Sequence, residues 1–107
     1  MRFYSIVIPV YNRPEEIKEL LESLTKQTYK NFEVVVVEDG SKDSAEAIVK
    51  SFSQRLSIQY FYKENTGQGL SRNYAYERAL GDYFIVFDSD CIIPTQYLQT
   101  VEDRLNS

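Results

Sequence analysis

The amino-acid sequence predicts a Rossmann-like α/β domain of three layers, in which helices cover both faces of a mostly parallel, four-stranded sheet. Short β-branched runs alternate with helical patterns along the whole chain, and this alternation is typical of a parallel sheet. The length of 107 residues leaves room for one compact domain and little more. We therefore treat residues 1–107 as a single domain.

The first half of the chain predicts two strands, each followed by a helix. Residues 4–10 and 32–37 are almost wholly apolar and mostly β-branched, as strands buried in a parallel sheet are. The helix between them has one apolar face, formed at positions i, i+3, i+4 and i+7 by Ile17, Leu20, Leu21 and Leu24. Residues 38–41 predict a turn, and Ser41 or Asp43 is expected to cap a second helix.

The second half predicts the same alternation. Residues 58–62 alternate in polarity, as an edge strand does, and residues 65–69 form a loop. A helix over about 70–80 is expected to end at Gly81 as its C-cap. Residues 83–87 are apolar throughout and predict a fourth strand. The chain closes with an amphipathic segment that carries Leu98, Val101 and Leu105.

The composition excludes several classes of function. The net charge is −4 and the basic residues are scattered, whereas a nucleic-acid-binding surface shows a basic stripe, so we expect no nucleic-acid partner. A single cysteine forms no internal disulfide, and without histidine any acid–base or metal chemistry must use carboxylates. The first apolar run is too short for a secretory or membrane segment. We expect a cytoplasmic location, and the sequence leaves open a parent protein at the cytoplasmic face of a membrane.

Polar residues follow three of the predicted strands where each strand ends. In open parallel sheets, ligands bind outside the carboxyl ends of the strands, at the point where strand order reverses. We therefore expect three clusters to converge at one edge, namely Tyr11-Asn12-Arg13, Glu38-Asp39 and Asp88-Ser89-Asp90. For one cluster alone, a polar turn is an equally good interpretation. The convergence of three clusters favours a binding site.

Asp88 and Asp90 predict a metal site. If the fourth strand continued through them, their side chains would point to the same side of the sheet. Two adjacent carboxylates repel each other unless a cation lies between them. Mn²⁺ and Mg²⁺ take hard oxygen ligands, often one or two carboxylates together with substrate phosphates. Such an ion would also neutralise a diphosphate that this acidic chain does not attract by itself. A solvated turn is the alternative.

Two further residues are candidates for nucleotide contacts. Asp39 ends an apolar strand, and its carboxylate can accept a hydrogen bond from a base N–H or a ribose hydroxyl. Arg72 lies in the first turn of the third predicted helix, where it can pair with a phosphate, with Asp39 or with Asp90. A turn residue and a surface arginine are the respective alternatives.

With these residues assembled, the chain resembles glycosyltransferase family 2, a group of inverting enzymes with the GT-A fold. The matching stretches occur in family order and cover almost the whole chain: Ser5–Asn12, Val37–Ser41, Asn65–Gly67, Leu70–Asn73 and Phe87–Asp90. The resemblance implies a truncated GT-A fold with strand order 3-2-1-4. It also implies a nucleoside-diphosphate sugar as donor, usually a UDP-sugar, and Mn²⁺ or Mg²⁺ as cofactor.

The resemblance also implies roles for single residues. Asp39 would contact the base, usually uracil, and Arg72 would help to hold the nucleotide or diphosphate. Asp88 would face the ribose and the donor sugar, and Asp90 would bind the cation that bridges the diphosphate, with Asp88 beside it. The implied nucleotide-sugar site comprises Pro9, Tyr11, Asn12, Arg13, Asp39, Arg72, Asp88 and Ser89.

Two features depart from the family pattern. Cys91 stands where many relatives carry a further acid. Family members also continue beyond the D-x-D motif, which is Asp88-Ser89-Asp90 here, into an acceptor-binding half that supplies the catalytic base. No residue between Cys91 and Ser107 resembles that base. We expect the N-terminal, donor-binding half of a glycosyltransferase, without the acceptor-binding half and without a catalytic residue. We expect it to transfer little or no sugar alone, and to self-associate through exposed apolar surface.

Other function classes remain as alternatives. A non-catalytic nucleotide-binding or regulatory α/β module, such as a phosphoacceptor receiver, also has acids at strand ends. A receiver, however, needs an acidic pair after the first strand, where Tyr11-Asn12-Arg13 stands here. A protein-interaction domain without a ligand would use the acids only as turn residues. A nucleotidyltransferase would need a basic, glycine-rich loop after the first strand. The sugar donor and the acceptor stay open.

Overall fold

The computed structural model describes residues 2–11, 14–40, 44–64 and 68–107, without the side chains of residue 14 and residues 68–72. Within these ranges strands and helices alternate along the chain as predicted. The elements are β1 Tyr4–Val10, α1 Pro14–Thr25, β2 Phe32–Asp39, α2 Glu46–Ser51, β3 Ile58–Lys63, α3 Gln68–Arg78, β4 Tyr83–Val86 and α4 Tyr97–Leu105. Among the described helices, none is both long and apolar enough to span a bilayer.

The four strands form one parallel sheet in the order β3-β2-β1-β4. This confirms the expected strand order and the edge position of the third strand. The chain moves from β1 to β2 to β3 in one direction and then returns to the other side of β1 with β4. The strand order therefore reverses between β1 and β4, and this gap is where ligands bind in such sheets.

Helices cover both faces of the sheet, as the predicted three layers require. The even-numbered residues of β1 and β2, such as Ile6 and Ile8, pack in one core with the apolar faces of α1, α2 and α4. Odd-numbered residues of the same strands, such as Val7 and Val35, pack in a second core with Ala75 of α3. Both central strands are buried along their whole length, which explains why their sequences are almost continuously apolar.

The predicted turn after the second strand begins later than expected. Glu38 and Asp39 belong to β2, because β3 pairs with that strand as far as Lys63. The chain leaves the strand at Gly40, whose φ of 69° lies in the left-handed region that favours glycine. The predicted caps of the second helix fall on residues 41–43, outside the described part of the chain. The N-cap position of α2 is Ala45, without a side-chain cap of its own.

The bounds of two later elements also differ from expectation. The third helix covers 68–78 rather than 70–80, so the predicted loop over 65–69 loses its last two residues to the helix. The fourth strand ends at Val86, one residue earlier than predicted. As an edge strand of four residues, β4 leaves two of its aromatic side chains substantially exposed to solvent.

Gly81 was expected to cap the third helix, and the structure gives it a different role. A Cβ atom at this position would lie 2.5 Å from Ser5 Oγ and 2.8 Å from the Phe3 carbonyl oxygen. The N–H of Gly81 donates to Ser5 Oγ at 2.8 Å, and the N–H of Leu80 donates to the buried Glu33 at 2.6 Å. The helix ends early because these backbone donors bond to the sheet, and glycine is required for the close approach.

Candidate functional site

At the carboxyl edge of the sheet, β1 and β4 separate next to Pro9. The N–H of Tyr4 donates toward the β2 side, and the carbonyl of Val7 accepts from Phe87 on the β4 side, so odd-numbered residues of β1 face β4. Pairing between β1 and β4 stops at Val7 and Val86. Pro9 therefore stands just beyond this pairing, where its missing N–H removes no ladder bond. Its place in a central strand marks the opening of the gap.

The acids of the D-x-D motif lie on a turn at this gap. The N–H of Cys91 donates to the Asp88 carbonyl oxygen at 3.1 Å, which closes a four-residue turn after β4. Asp88 and Asp90 are exposed, and Ser89 is partly exposed. The two acids would share one side of the sheet only if the strand continued through them, and β4 ends before them, at Val86. The turn instead presents both carboxylates to solvent at the point where strand order reverses.

The exit of the turn is fastened to the end of α1 by buried polar groups. The N–H of Ile93 donates to Ser23 Oγ at 3.0 Å. The fully buried Gln27 donates from Nε2 to the Pro94 carbonyl oxygen at 2.7 Å and accepts from the Leu98 N–H at 3.2 Å. Sequence reasoning missed Ser23 and Gln27, since it considered only the apolar face of α1. The available signal was that Ser23 and Gln27, directly before Leu24 and three positions after it, are polar but uncharged.

Asp39 pairs with a lysine that the sequence reasoning did not identify. Lys63 Nζ lies 2.8 Å from Asp39 Oδ1, and the two side chains are only 12% and 8% exposed. They meet because the β2–β3 register makes these residues direct neighbours. Applying the strand-end rule to the third strand as well would have found Lys63. The side chain of Arg72, the other candidate partner, lies outside the described part of the structure.

Glu38, on the opposite face of β2, fastens the start of α2. Its Oε1 accepts from the Ala45 N–H at 2.9 Å, from Ser44 Oγ at 3.2 Å and from the Tyr60 hydroxyl. Burial, together with the hydrogen bond to Glu38, raises the pKa of the Tyr60 hydroxyl. Within the described part of the chain, Glu38 Oε2 is buried and has no hydrogen-bond partner. Glu38 therefore organises the segment that follows Asp39 and does not face solvent.

The other predicted site residues are only partly described. Tyr11 follows β1 directly and is half exposed. Asn12 and Arg13 lie outside the described residues. A groove of about 560 Å³ runs between α1 and residues 92–95, but none of the acids of the candidate site lines it.

The donor atoms at the turn fit a hard divalent cation. Within the described ranges, no three or more His, Cys, Asp or Glu side chains form a group that could hold a metal ion. A cation at this turn would find carboxylate oxygens on Asp88 and Asp90 and could take further oxygens from a bound phosphate or from water. Mn²⁺ and Mg²⁺ are held in this way, by one or two carboxylates plus substrate phosphates.

Fold and site together define a class, the GT-A domains, in which a parallel sheet carries acids at its switch point. The model of glycosyl transferase family 2 matches residues 5–107, and the chain belongs to this family. An uncharacterized glycosyltransferase of Rickettsia conorii is 43% identical over 102 residues, which is 95% of this chain and 17% of that protein.

Two solved structures are similar to the whole fold. S. aureus TarS in complex with UDP-GlcNAc has a TM-score of 0.91 at 34% identity, covering 97% of this chain and 31% of that chain. The mannosyltransferase PcManGT from Pyrobaculum calidifontis, in complex with GDP-Man and Mn²⁺, has a TM-score of 0.81 at 26% identity, covering 87% and 29%. The chain thus spans between 17% and 31% of the length of these proteins.

Proposed function

We propose that this chain is the donor-binding part of an inverting glycosyltransferase that uses a nucleoside-diphosphate sugar, in the first place a UDP-sugar. The observation that carries this proposal is the exposed pair Asp88 and Asp90, on a turn where strand order reverses. Complexes of the similar proteins with UDP-GlcNAc and with GDP-Man and Mn²⁺ support the choice of donor and metal.

The turn would serve the leaving-group side of the reaction. Asp90, with Asp88 beside it, would hold Mn²⁺ or Mg²⁺, and such an ion stabilises the charge that develops on a departing diphosphate. Asp88 and Ser89 would face the ribose and the donor sugar. Because both acids are exposed, they can exchange their water contacts for phosphate and metal without breaking buried structure.

The strand ends on the β1 and β2 side would hold the nucleoside. Asp39 would accept a hydrogen bond from the base, and Arg72 would pair with the diphosphate. The remaining members of the pocket are Pro9, Tyr11, Asn12 and Arg13. As the resemblance to the family implies, the carboxylate that takes the acceptor proton would come from outside this chain.

Calorimetric titration with UDP and Mn²⁺ tests the metal assignment. We expect wild-type protein to bind UDP more tightly with Mn²⁺ than without it. Asp90→Asn should weaken binding in Mn²⁺ by about tenfold or more, which is ~1.4 kcal/mol, and should change binding without metal much less.

Asp103→Asn is the matched control, because this exposed aspartate lies on α4, away from the turn, and its side chain accepts a hydrogen bond from Gln99. It should bind as wild type does. Equal affinity of wild type and Asp90→Asn in Mn²⁺ would refute the metal assignment. If wild type did not bind UDP under any of these conditions, the donor proposal itself would fail.

We also propose that the chain associates with a second copy through the face around β4. Leu80, Tyr83 and Phe84 are 77%, 44% and 43% exposed, and β4 is an edge of the sheet. Exposed apolar residues on an edge strand favour association. Sedimentation velocity should show concentration-dependent association that Phe84→Lys reduces, and a monomer at high concentration would exclude it. The expected cytoplasmic location stays a prediction.

A further inference from the structure

Lys63 and Asp39 form a largely buried ion pair at the end of the candidate nucleotide site. They are direct cross-strand neighbours, with Nζ and Oδ1 2.8 Å apart and with 12% and 8% of their side chains exposed. On the basis of the function proposed above, we propose that Lys63 is a positioning residue that holds Asp39 and thereby sets the base preference of the site.

The location of the pair explains why Lys63 matters more than a surface lysine. Exposed ion pairs contribute little, because water and salt screen them. Asp39 is buried, and removing a cationic partner from a buried carboxylate is costly because the desolvated charge loses compensation. The Lys63 stem extends from β3 on the face where Phe61 packs edge-on against Tyr74 of α3, with ring centroids 5.8 Å apart. The strand and helix thus keep the ammonium in place.

A carboxylate held in this way selects among bases by its hydrogen-bonding character. An ionised carboxylate offers only acceptor oxygens. Uracil presents an N–H at ring position 3, whereas cytosine presents a lone pair there. The Asp39 carboxylate therefore accepts a bond from a uridine nucleotide and meets an acceptor in a cytidine nucleotide. Rejection of the wrong base by an unpaired acceptor is an effective source of specificity.

Lys63 could instead contact a phosphate of the nucleotide directly. Its Nζ already donates to Asp39 and to the Glu64 carbonyl oxygen at 3.0 Å, which favours the positioning role. The two roles differ in what they require of the ligand. If Lys63 positions Asp39, removing it affects only ligands that carry a base. If Lys63 contacts a phosphate, removing it also affects ligands without a base. Inorganic pyrophosphate with Mn²⁺ therefore separates the two roles.

The test compares UDP, CDP and pyrophosphate as ligands, each with Mn²⁺, by calorimetry. We expect Lys63→Met to weaken UDP binding by about tenfold and CDP binding much less, so that the preference for UDP shrinks. Pyrophosphate binding should stay as in wild type. Lys63→Arg should restore most of the preference, because it restores the cation. Lys50→Met is the matched control, since Lys50 is exposed and pairs only with an exposed Glu46 in the described structure.

An unchanged UDP-to-CDP preference in Lys63→Met would overturn the inference, and so would an equal loss of pyrophosphate binding. Far-UV circular dichroism confirms that the variants are folded. If Lys63→Met does not fold, Lys63→Gln keeps a donor without the charge and must lose the preference that Lys63→Arg retains. Failure of the wild-type chain to bind UDP with Mn²⁺ would refute the proposed function, whereas a base preference that ignores Lys63 would refute only this inference.

Discussion

Replacing Gln27 by methionine removes the polar connection between α1 and the exit of the D-x-D turn while nearly preserving side-chain volume. The amide is fully buried and joins two segments distant in sequence. It donates to the Pro94 carbonyl oxygen at 2.7 Å and accepts from the N–H of Leu98 at 3.2 Å. That N–H lies in the first turn of α4, where no earlier helical carbonyl can accept it, so Gln27 serves as the cap that Gln96 does not provide.

The expected cost follows mainly from the N–H of Leu98, because the Pro94 carbonyl oxygen keeps a second donor in the N–H of Tyr97 at 3.0 Å. A buried donor or acceptor left without a partner costs about 1–3 kcal/mol each. Methionine recovers about 1 kcal/mol, because an apolar side chain needs no desolvation of an amide. From the middle of that range for one group, less the part that methionine recovers, the free energy of unfolding of Gln27→Met should fall by about 1 kcal/mol.

Urea denaturation followed by circular dichroism measures this change as a shift of the midpoint at constant slope. Gln99→Met is the control, since among the described residues the side chain of Gln99 bonds only to the exposed Asp103, and this change should alter stability by less than ~0.5 kcal/mol. Equal midpoints for the two variants would refute the reasoning. Gln27→Met should also weaken UDP binding in Mn²⁺, because the exit of the turn loses its anchor.

Two further changes test other contacts. Gly81→Ala would place a Cβ 2.5 Å from Ser5 Oγ, so we expect a loss of ~1–3 kcal/mol in thermal unfolding, against almost none for the exposed Leu80→Ala; equal melting temperatures would contradict this. The hydrogen bond from Tyr4 lowers the pKa of Glu102 below its ordinary value of 4.5. Its stabilisation is therefore present above that value and lost as the pH falls through the lower, folded-state pKa. Glu102→Gln should flatten the acid limb of the stability profile, and an unchanged limb would exclude this role.

Much of the fold could be predicted from local pattern, because β1 and β2 are buried on both faces and their sequences show it directly. The strand order came from the resemblance to glycosyltransferase family 2 and not from periodicity. The predicted bounds were wrong where contacts between residues distant in sequence determine the end of an element. β2 extends to Asp39 because Lys63 lies opposite, and α3 ends early because Leu80 bonds to Glu33 of a different strand.

The candidate site, like the fold, could be predicted from the sequence only in part. The positions of Asp88 and Asp90 after β4 follow from sequence, since acids after an apolar strand are visible without knowledge of register. Their conformation does not, because a turn and a continuing strand can have the same residues. The residues Gln27 and Lys63 are visible as polar positions in the sequence, but their contacts could not be predicted, since their partners lie 67 and 24 positions away along the chain.

The two acids that end β2 lie on opposite faces of the sheet and have different roles. Glu38 has a structural role, and Asp39 has the proposed binding role. Alternation along the strand directs Glu38 toward α2 and Asp39 toward α3. Both acids are fastened by β3, Glu38 through Tyr60 and Asp39 through Lys63. An edge strand that would contribute no direct ligand thus fixes both the loop after β2 and the carboxylate proposed to contact the base. Substitutions in β3 should consequently change which nucleotide binds, while substitutions in the D-x-D turn should change whether the metal does.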